Sequence, residues 1–109
     1  MYENNHMTAI FDEFPVSKGH VLIISRKHYK DWFEIPSNEK YWLNEAIEHC
    51  KNIIECEFNP TGFNIGMNCG ADAGQTVMHF HCHLIPRYNG DTASPQGGVR
   101  GVIPERMSY

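Results

Sequence analysis

The run His79-Phe80-His81-Cys82-His83-Leu84-Ile85-Pro86-Arg87 constrains this chain more than any other stretch. Histidine recurs there with a period of two. Between the histidines stand Phe80, Cys82 and Leu84, two apolar residues and one small, weakly polar one. A β-strand sends alternate side chains to opposite faces. His79, His81 and His83 would then share one face, while Phe80, Cys82 and Leu84 pack into a core. Neighbouring histidines would stand roughly 6.5–7 Å apart, enough to surround a substrate-sized space. On a helix the same residues would fan around the axis at about 200° per step.

The residues before this strand add to the picture. Gly70-Ala71-Asp72-Ala73-Gly74-Gln75-Thr76 has two glycines, a glutamine and a threonine, and no bulky side chain. Such a loop can turn backbone N–H groups towards an anion. An anion-binding loop that feeds a histidine-bearing strand points to phosphate chemistry.

The stretch Gly74-Gln75-Thr76-Val77-Met78-His79-Phe80-His81-Cys82-His83-Leu84-Ile85-Pro86-Arg87 resembles the signature of the histidine-triad (HIT) superfamily of nucleotide hydrolases and transferases. That signature is His-φ-His-φ-His-φ-φ, with φ apolar, after a Gly-Gln-Ser/Thr loop. Pro15-Val16-Ser17-Lys18-Gly19-His20-Val21-Leu22-Ile23-Ile24 is similar to the family's other recurrent segment, which carries a fourth site histidine. The two segments come in the family's order and at about its spacing. The resemblance runs from about Tyr2 to Arg87. It implies an α+β fold with an antiparallel sheet and one long helix, dimerising into a continuous larger sheet.

Composition excludes several other classes. A chain of 109 residues is expected to form a single domain, 1–109, with 88–109 as a tail segment. Hydrophobic residues at 41% argue for a packed core and against disorder. A net charge of −4 argues against a nucleic-acid polymer as partner. A mononucleotide held by local N–H groups needs no basic surface. Cys50, Cys56, Cys69 and Cys82 form no close pair at metal-finger spacing and read as reduced thiols. No apolar run reaches membrane-spanning length and Met-Tyr-Glu-Asn-Asn-His is no signal peptide, so a cytoplasmic protein with no membrane partner is expected.

Along the chain, Met7 to Phe11 reads as a short strand ending at Asp12. Family members often begin earlier, with a Cys-containing strand and loop. This sequence starts near the end of that segment, so a zinc site built from it is not expected. Asp12 and Glu13 alone would read as solvated strand-end acids. The resemblance implies instead that Asp12 accepts from the ribose hydroxyls, a task that suits a carboxylate. Pro15 to Gly19 is a turn, and Val21 to Ile24 an apolar strand with His20 at its mouth. Ser25 to Lys30 reads as a solvated basic connection. Asp31 to Pro36 suggests a turn or short helical piece.

Ser37 is a plausible N-cap. From there to about Phe58, Leu43, Ala46, Ile47, Cys50, Ile54 and Phe58 recur at helical steps as an apolar stripe. Asn59-Pro60-Thr61-Gly62 stops the helix. Phe63 to Asn68 alternates as a half-buried strand. Asn68 lies eleven residues before His79. By itself it suggests an Asx turn, and the resemblance adds a contact to the ribose. Tyr88 to Gly98 is rich in turn formers. With Val99 to Tyr109 it resembles the tails of dinucleoside-polyphosphate-processing members more than those of the short-tailed phosphoramidases.

A neutral, anchored imidazole can attack phosphorus. Clustered imidazoles disfavour one another's charged forms, so no metal or other cofactor is required to make the nucleophile. The resemblance implies that His81 attacks the α-phosphorus of a purine nucleotide and forms a nucleotidyl-histidine, which water cleaves. His83 would donate to phosphate oxygens, and His79 and His20 would orient the cluster. Gly74, Gln75 and Thr76 would bind the α-phosphate and the leaving group. The substrate would be a dinucleoside polyphosphate or a nucleoside phosphoramidate, and the protein a homodimer. Three alternatives stand beside this reading. One is a phosphorylase on dinucleoside polyphosphates. Another is a zinc site on the histidine cluster, since His-x-His on a strand is a common zinc pair. The third is a nucleotide-binding regulator with vestigial catalysis.

Overall fold

The computed structural model describes all of residues 1–109. Five strands make up its sheet: β1 (Tyr2–Glu3), β2 (Met7–Phe11), β3 (Val21–Ser25), β4 (Gly62–Gly66) and β5 (His81–Arg87). They pair antiparallel throughout, in the spatial order β1-β2-β3-β5-β4. A single helix, α1 (Ser37–Phe58), crosses from β3 to β4. This is the α+β arrangement of antiparallel sheet and long helix that the sequence predicts.

The period-two pattern decides which face each side chain takes. Met7, Ala9, Val21, Ile23, Cys82 and Leu84 point inward and are buried against Leu43, Ala46, Cys50 and Ile54 of α1. Ile47 and Phe58 pack on the margin of this core. Truncating Leu43 or Ile54 to Ala would cost about 2–5 kcal/mol, a large share of the stability of so small a domain. Burial raises the Cys50 thiol to about 11 and the Cys82 thiol to about 12, so both serve as inert apolar filling. The opposite face of the sheet has no helix on it. The register pairs Leu22 with His83 and Ile24 with His81, which sets two histidines among aliphatic neighbours on that face.

The ends of α1 are set by backbone geometry. Pro36, not Ser37, is the N-cap: its carbonyl takes the N–H groups of Glu39 and Lys40 at 3.0 and 3.1 Å. Asn59 closes the helix in the left-handed conformation, with φ 55°. Gly19 ends the turn before β3 with φ +86°, and a Cβ there would stand 2.8 Å from a ring carbon of Phe58. Only glycine allows the turn to lie so close under the helix end. Any larger residue would push on the turn that aims His20.

Three boundaries differ from expectation. β1 is a two-residue strand with no periodicity to announce it. β4 stops at Gly66, two residues short of Asn68. More important, β5 begins at His81, and His79 lies in the bend before it. The tail contributes two short 3-10 turns, Gly98–Val102 and Pro104–Arg106. No helix is long and apolar enough to cross a membrane.

Candidate active site

His20 is buried at the mouth of β3. The Pro15–Gly19 turn folds back so that the Val16 N–H donates to His20 Nδ1 at 3.1 Å. With Nδ1 accepting, the neutral ring carries its proton on Nε2. That N–H faces His83 Nδ1 at 2.9 Å, and Asp12 Oδ2 stands 3.4 Å away. His83 Nδ1 therefore accepts, and the proton of the neutral His83 ring sits on Nε2. His83 thus becomes a hydrogen-bond donor on the open face. Burial pushes both rings below the ordinary imidazole value, which favours these neutral tautomers. At His83 the neighbouring His20 and His81 rings add to the effect, and Asp12 opposes it at both.

His81 is anchored differently. Its Nδ1 lies 3.0 Å from the backbone carbonyl of His79. A carbonyl can only accept, so Nδ1 carries the proton and Nε2 keeps its lone pair. His83 packs edge-on beside it, ring centroids 5.5 Å apart. The expectation of an imidazole on each side of His81 is corrected here. On one side it has the ring of His83; on the other it meets the main chain of His79, because the strand ladder starts only at His81.

The His79 ring turns towards the loop after β3. Its Nε2–H donates to Ser25 O at 2.7 Å, with Ser25 Oγ at 3.3 Å, and its Nδ1 lies 2.9 Å from His28 Nδ1. His28, read from the sequence as part of a solvated connection, therefore joins the cluster. The register that pairs Ile24 with His81 carried the signal, since it brings the loop after Ser25 beside His79.

The Gly70–Thr76 loop contains one 3-10 turn, Ala71–Ala73, between Gly70 and Gly74, both with positive φ. The Gly74 and Gln75 N–H groups are spent on the carbonyls of Ala71 and Gly70. Gln75 is buried, and its amide is spent as well. Its Oε1 accepts from the Gly70 N–H at 2.8 Å, and its Nε2 donates to Lys30 O and Val77 O at 2.6 and 3.2 Å. The amide that was expected to reach substrate is instead the internal brace of the loop. Thr76 is exposed, and from Thr76 to His79 the backbone N–H groups have no partner within the chain. The donors available to an anion thus begin at Thr76. Asn68 approaches this loop closely: a Cβ on Gly74 would lie 3.7 Å from its Nδ2.

Asp12 Oδ1 accepts from the Phe14 N–H at 2.9 Å, which leaves Oδ2 facing His20. Two clefts flank the His81–His83 pair. One of about 270 Å³ is lined by Leu22, Ile24, Val77, His79 and His81. The other, about 510 Å³, lies between His83, Asn68 and the tail residues Val99 and Val102. Asp12, His20 and His83 are the convergent donor set, with their ligand atoms within 4.8 Å of one another. Two of those atoms are the nitrogens that share the 2.9 Å hydrogen bond.

The chain belongs to the HIT family, whose HIT domain model matches residues 1–90. It is 41% identical over 93 residues to an uncharacterized HIT-like protein of Methanocaldococcus jannaschii, covering 84% of this chain and 70% of that one. It is 33% identical to the asymmetrical bis(5'-nucleosyl)-tetraphosphatase of Schizosaccharomyces pombe, over 83% of this chain and 50% of the enzyme. With the adenylylsulfatase of Arabidopsis thaliana it shares 35% identity over 84% of this chain and 46% of the enzyme. Among solved structures, a HIT family protein from Bacillus anthracis superposes with a TM-score of 0.79 at 37% identity, over 98% of this chain and 78% of that one. The family thus includes nucleotide hydrolases, and the chain spans between 46% and 70% of the length of these relatives.

Proposed function

We propose that the protein is a nucleotide hydrolase or transferase that cleaves at the α-phosphate through a covalent nucleotidyl-His81. The observation that carries this reading is the 3.0 Å bond from His81 Nδ1–H to the His79 carbonyl, which leaves Nε2 as a lone pair on the open face. That lone pair forms the N–P bond while the bond from phosphorus to the leaving oxygen or nitrogen breaks, and the leaving group carries off the electron pair and takes up a proton. Water then attacks phosphorus and releases a proton to solvent, balancing the one the leaving group took up, while the P–N bond breaks and its electron pair returns to Nε2. The His83 Nε2–H and the N–H and hydroxyl of Thr76 bind the phosphoryl oxygens as charge develops on them. Asp12 and Asn68 hold the ribose, and His20 keeps His83 in its donor tautomer. Gly74 and Gln75 act by shaping the loop.

The substrate is a purine nucleotide, either a dinucleoside polyphosphate or a nucleoside phosphoramidate, and the tail cleft beside His83 tunes that choice. No metal cofactor is needed, because a backbone carbonyl and not a metal prepares the nucleophile. The active form is a homodimer in which two sheets join, and sedimentation should give twice the 12.5 kDa chain mass. The deciding assay follows the products from a diadenosine polyphosphate and from an adenosine phosphoramidate, each with and without inorganic phosphate and EDTA. A nucleoside monophosphate released under all conditions supports hydrolysis. A nucleoside diphosphate formed only with phosphate identifies a phosphorylase. Activity lost to EDTA and restored by stoichiometric zinc overturns the metal-free mechanism.

A further inference from the structure

The loop that carries His28 touches two predicted site residues, Gln75 through the Lys30 carbonyl and His79, and it meets His79 at both of its functional ends. The His79–Phe80 peptide presents its carbonyl to His81 Nδ1 and its N–H, at Phe80, to the Tyr29 carbonyl at 2.7 Å. A trans peptide points these groups in opposite directions, so Tyr29 orients the carbonyl that anchors His81. At the ring, Ser25 O accepts from Nε2, which leaves Nδ1 able only to accept. The facing His28 Nδ1 must then be the donor. Because His79 lies outside β5, no strand ladder holds its orientation, and these contacts replace one.

The loop is itself braced at three points. Tyr29 Oη donates to the buried Glu39 carboxylate at 2.8 Å. Lys30 O receives the Gln75 amide at 2.6 Å, and the Ser25 hydroxyl donates to Lys27 O at 2.8 Å.

We infer that His28 is a positioning residue: by donating to Nδ1 it holds the ring of His79 in the tautomer that the Ser25 carbonyl selects, and through the His79 main chain it steadies the aim of His81. This rests on the reading of His81 as nucleophile. The net worth of a neutral hydrogen bond predicts that its loss slows nucleotidyl transfer about fivefold. The effect should fall on kcat, because His28 lines neither of the clefts beside His81 and His83.

The test compares His28→Phe, which keeps ring size and removes the donor, with His28→Asn, which keeps an N–H near the place of Nδ1. Steady-state kinetics are measured on both, and nitrogen-15 spectra of the histidine rings are recorded on the free proteins. His28→Phe should lower kcat with KM unchanged. It should also shift the His79 Nδ1 signal towards that of an unbonded acceptor and speed exchange of the His81 Nδ1 proton. His28→Asn should restore all three. Wild-type His79 and His81 ring signals in His28→Phe overturn the inference, whatever the activity. So does a fall in kcat that His28→Asn shares in full. If the wild type forms no adduct, the proposed function fails, and the ring signals still decide whether His28 orders His79.

Discussion

Two histidine pairs flank His81 with nearly the same internal geometry. His20–His83 and His28–His79 each bring ring nitrogens to 2.9 Å, with centroids 5.2 and 5.0 Å apart and planes tilted by 44° and 46°. Their surroundings differ. His20 is 2% exposed, its far nitrogen takes a main-chain N–H, and Asp12 stands alongside. His28 is exposed, and its partner is oriented by the Ser25 carbonyl. The buried pair therefore works on electrostatics, keeping His83 neutral and its Nε2–H facing the open side of the sheet. The exposed pair works on position, through a carbonyl that a strand ladder does not hold. A contact of one length has two uses, and burial decides which.

The largest way to break this contrast is His83→Phe, which removes the donor that the proposed mechanism directs at the phosphoryl group. Loss of one such donor should lower kcat by about 10²- to 10³-fold, against the fivefold effect at His28. If single-turnover rates of His83→Phe and His28→Phe fall equally, the division of labour is wrong.

Stability sharpens the comparison next. His20→Phe replaces a buried ring and leaves the Val16 N–H and His83 Nδ1 without their partner, and urea unfolding should register a loss of about 1–3 kcal/mol. His28→Phe, at the surface, should stay within about 0.5 kcal/mol of wild type. Equal losses would mean that exposure does not separate the pairs.

The smallest effect is in pH. Burial holds the folded-state values of His20 and His83 below the ordinary one, so the unfolded chain binds their protons more readily. Their contribution to stability is complete above pH about 6.5 and is lost as pH falls below that, through the lowered folded-state values. Unfolding free energies of His20→Gln should fall less steeply with pH in that range than those of wild type. A slope as steep as wild type would contradict the neutral-pair account.

Much of the molecule was legible from periodicity. A short strand-forming run located Met7–Phe11, a continuous apolar run located Val21–Ile24, and three- and four-residue steps located the helix to Phe58, because each of these elements buries one face. Alternation put His81 and His83 on one face. It extended the strand to His79 because side-chain period carries no information on where main-chain pairing begins. The internal bonds of Gln75 and the contact of His28 with His79 are hidden from the sequence for the same underlying reason. Gln75 turns inward because the loop carbonyls and N–H groups need partners. His28 joins the cluster because the β3–β5 register brings a distant loop alongside. Those are tertiary facts, and local residue type does not report them.

The central claim is that His81 carries the nucleotide, and trapping the adduct tests it most directly. Reaction with α-labelled diadenosine polyphosphate, quenched in alkali and mapped by peptide, should place an acid-labile, alkali-stable phosphoramidate on His81. His81→Asn should lose both adduct and turnover while it still folds and binds nucleotide. A label on His79 or His83, or turnover by His81→Asn, would contradict the account.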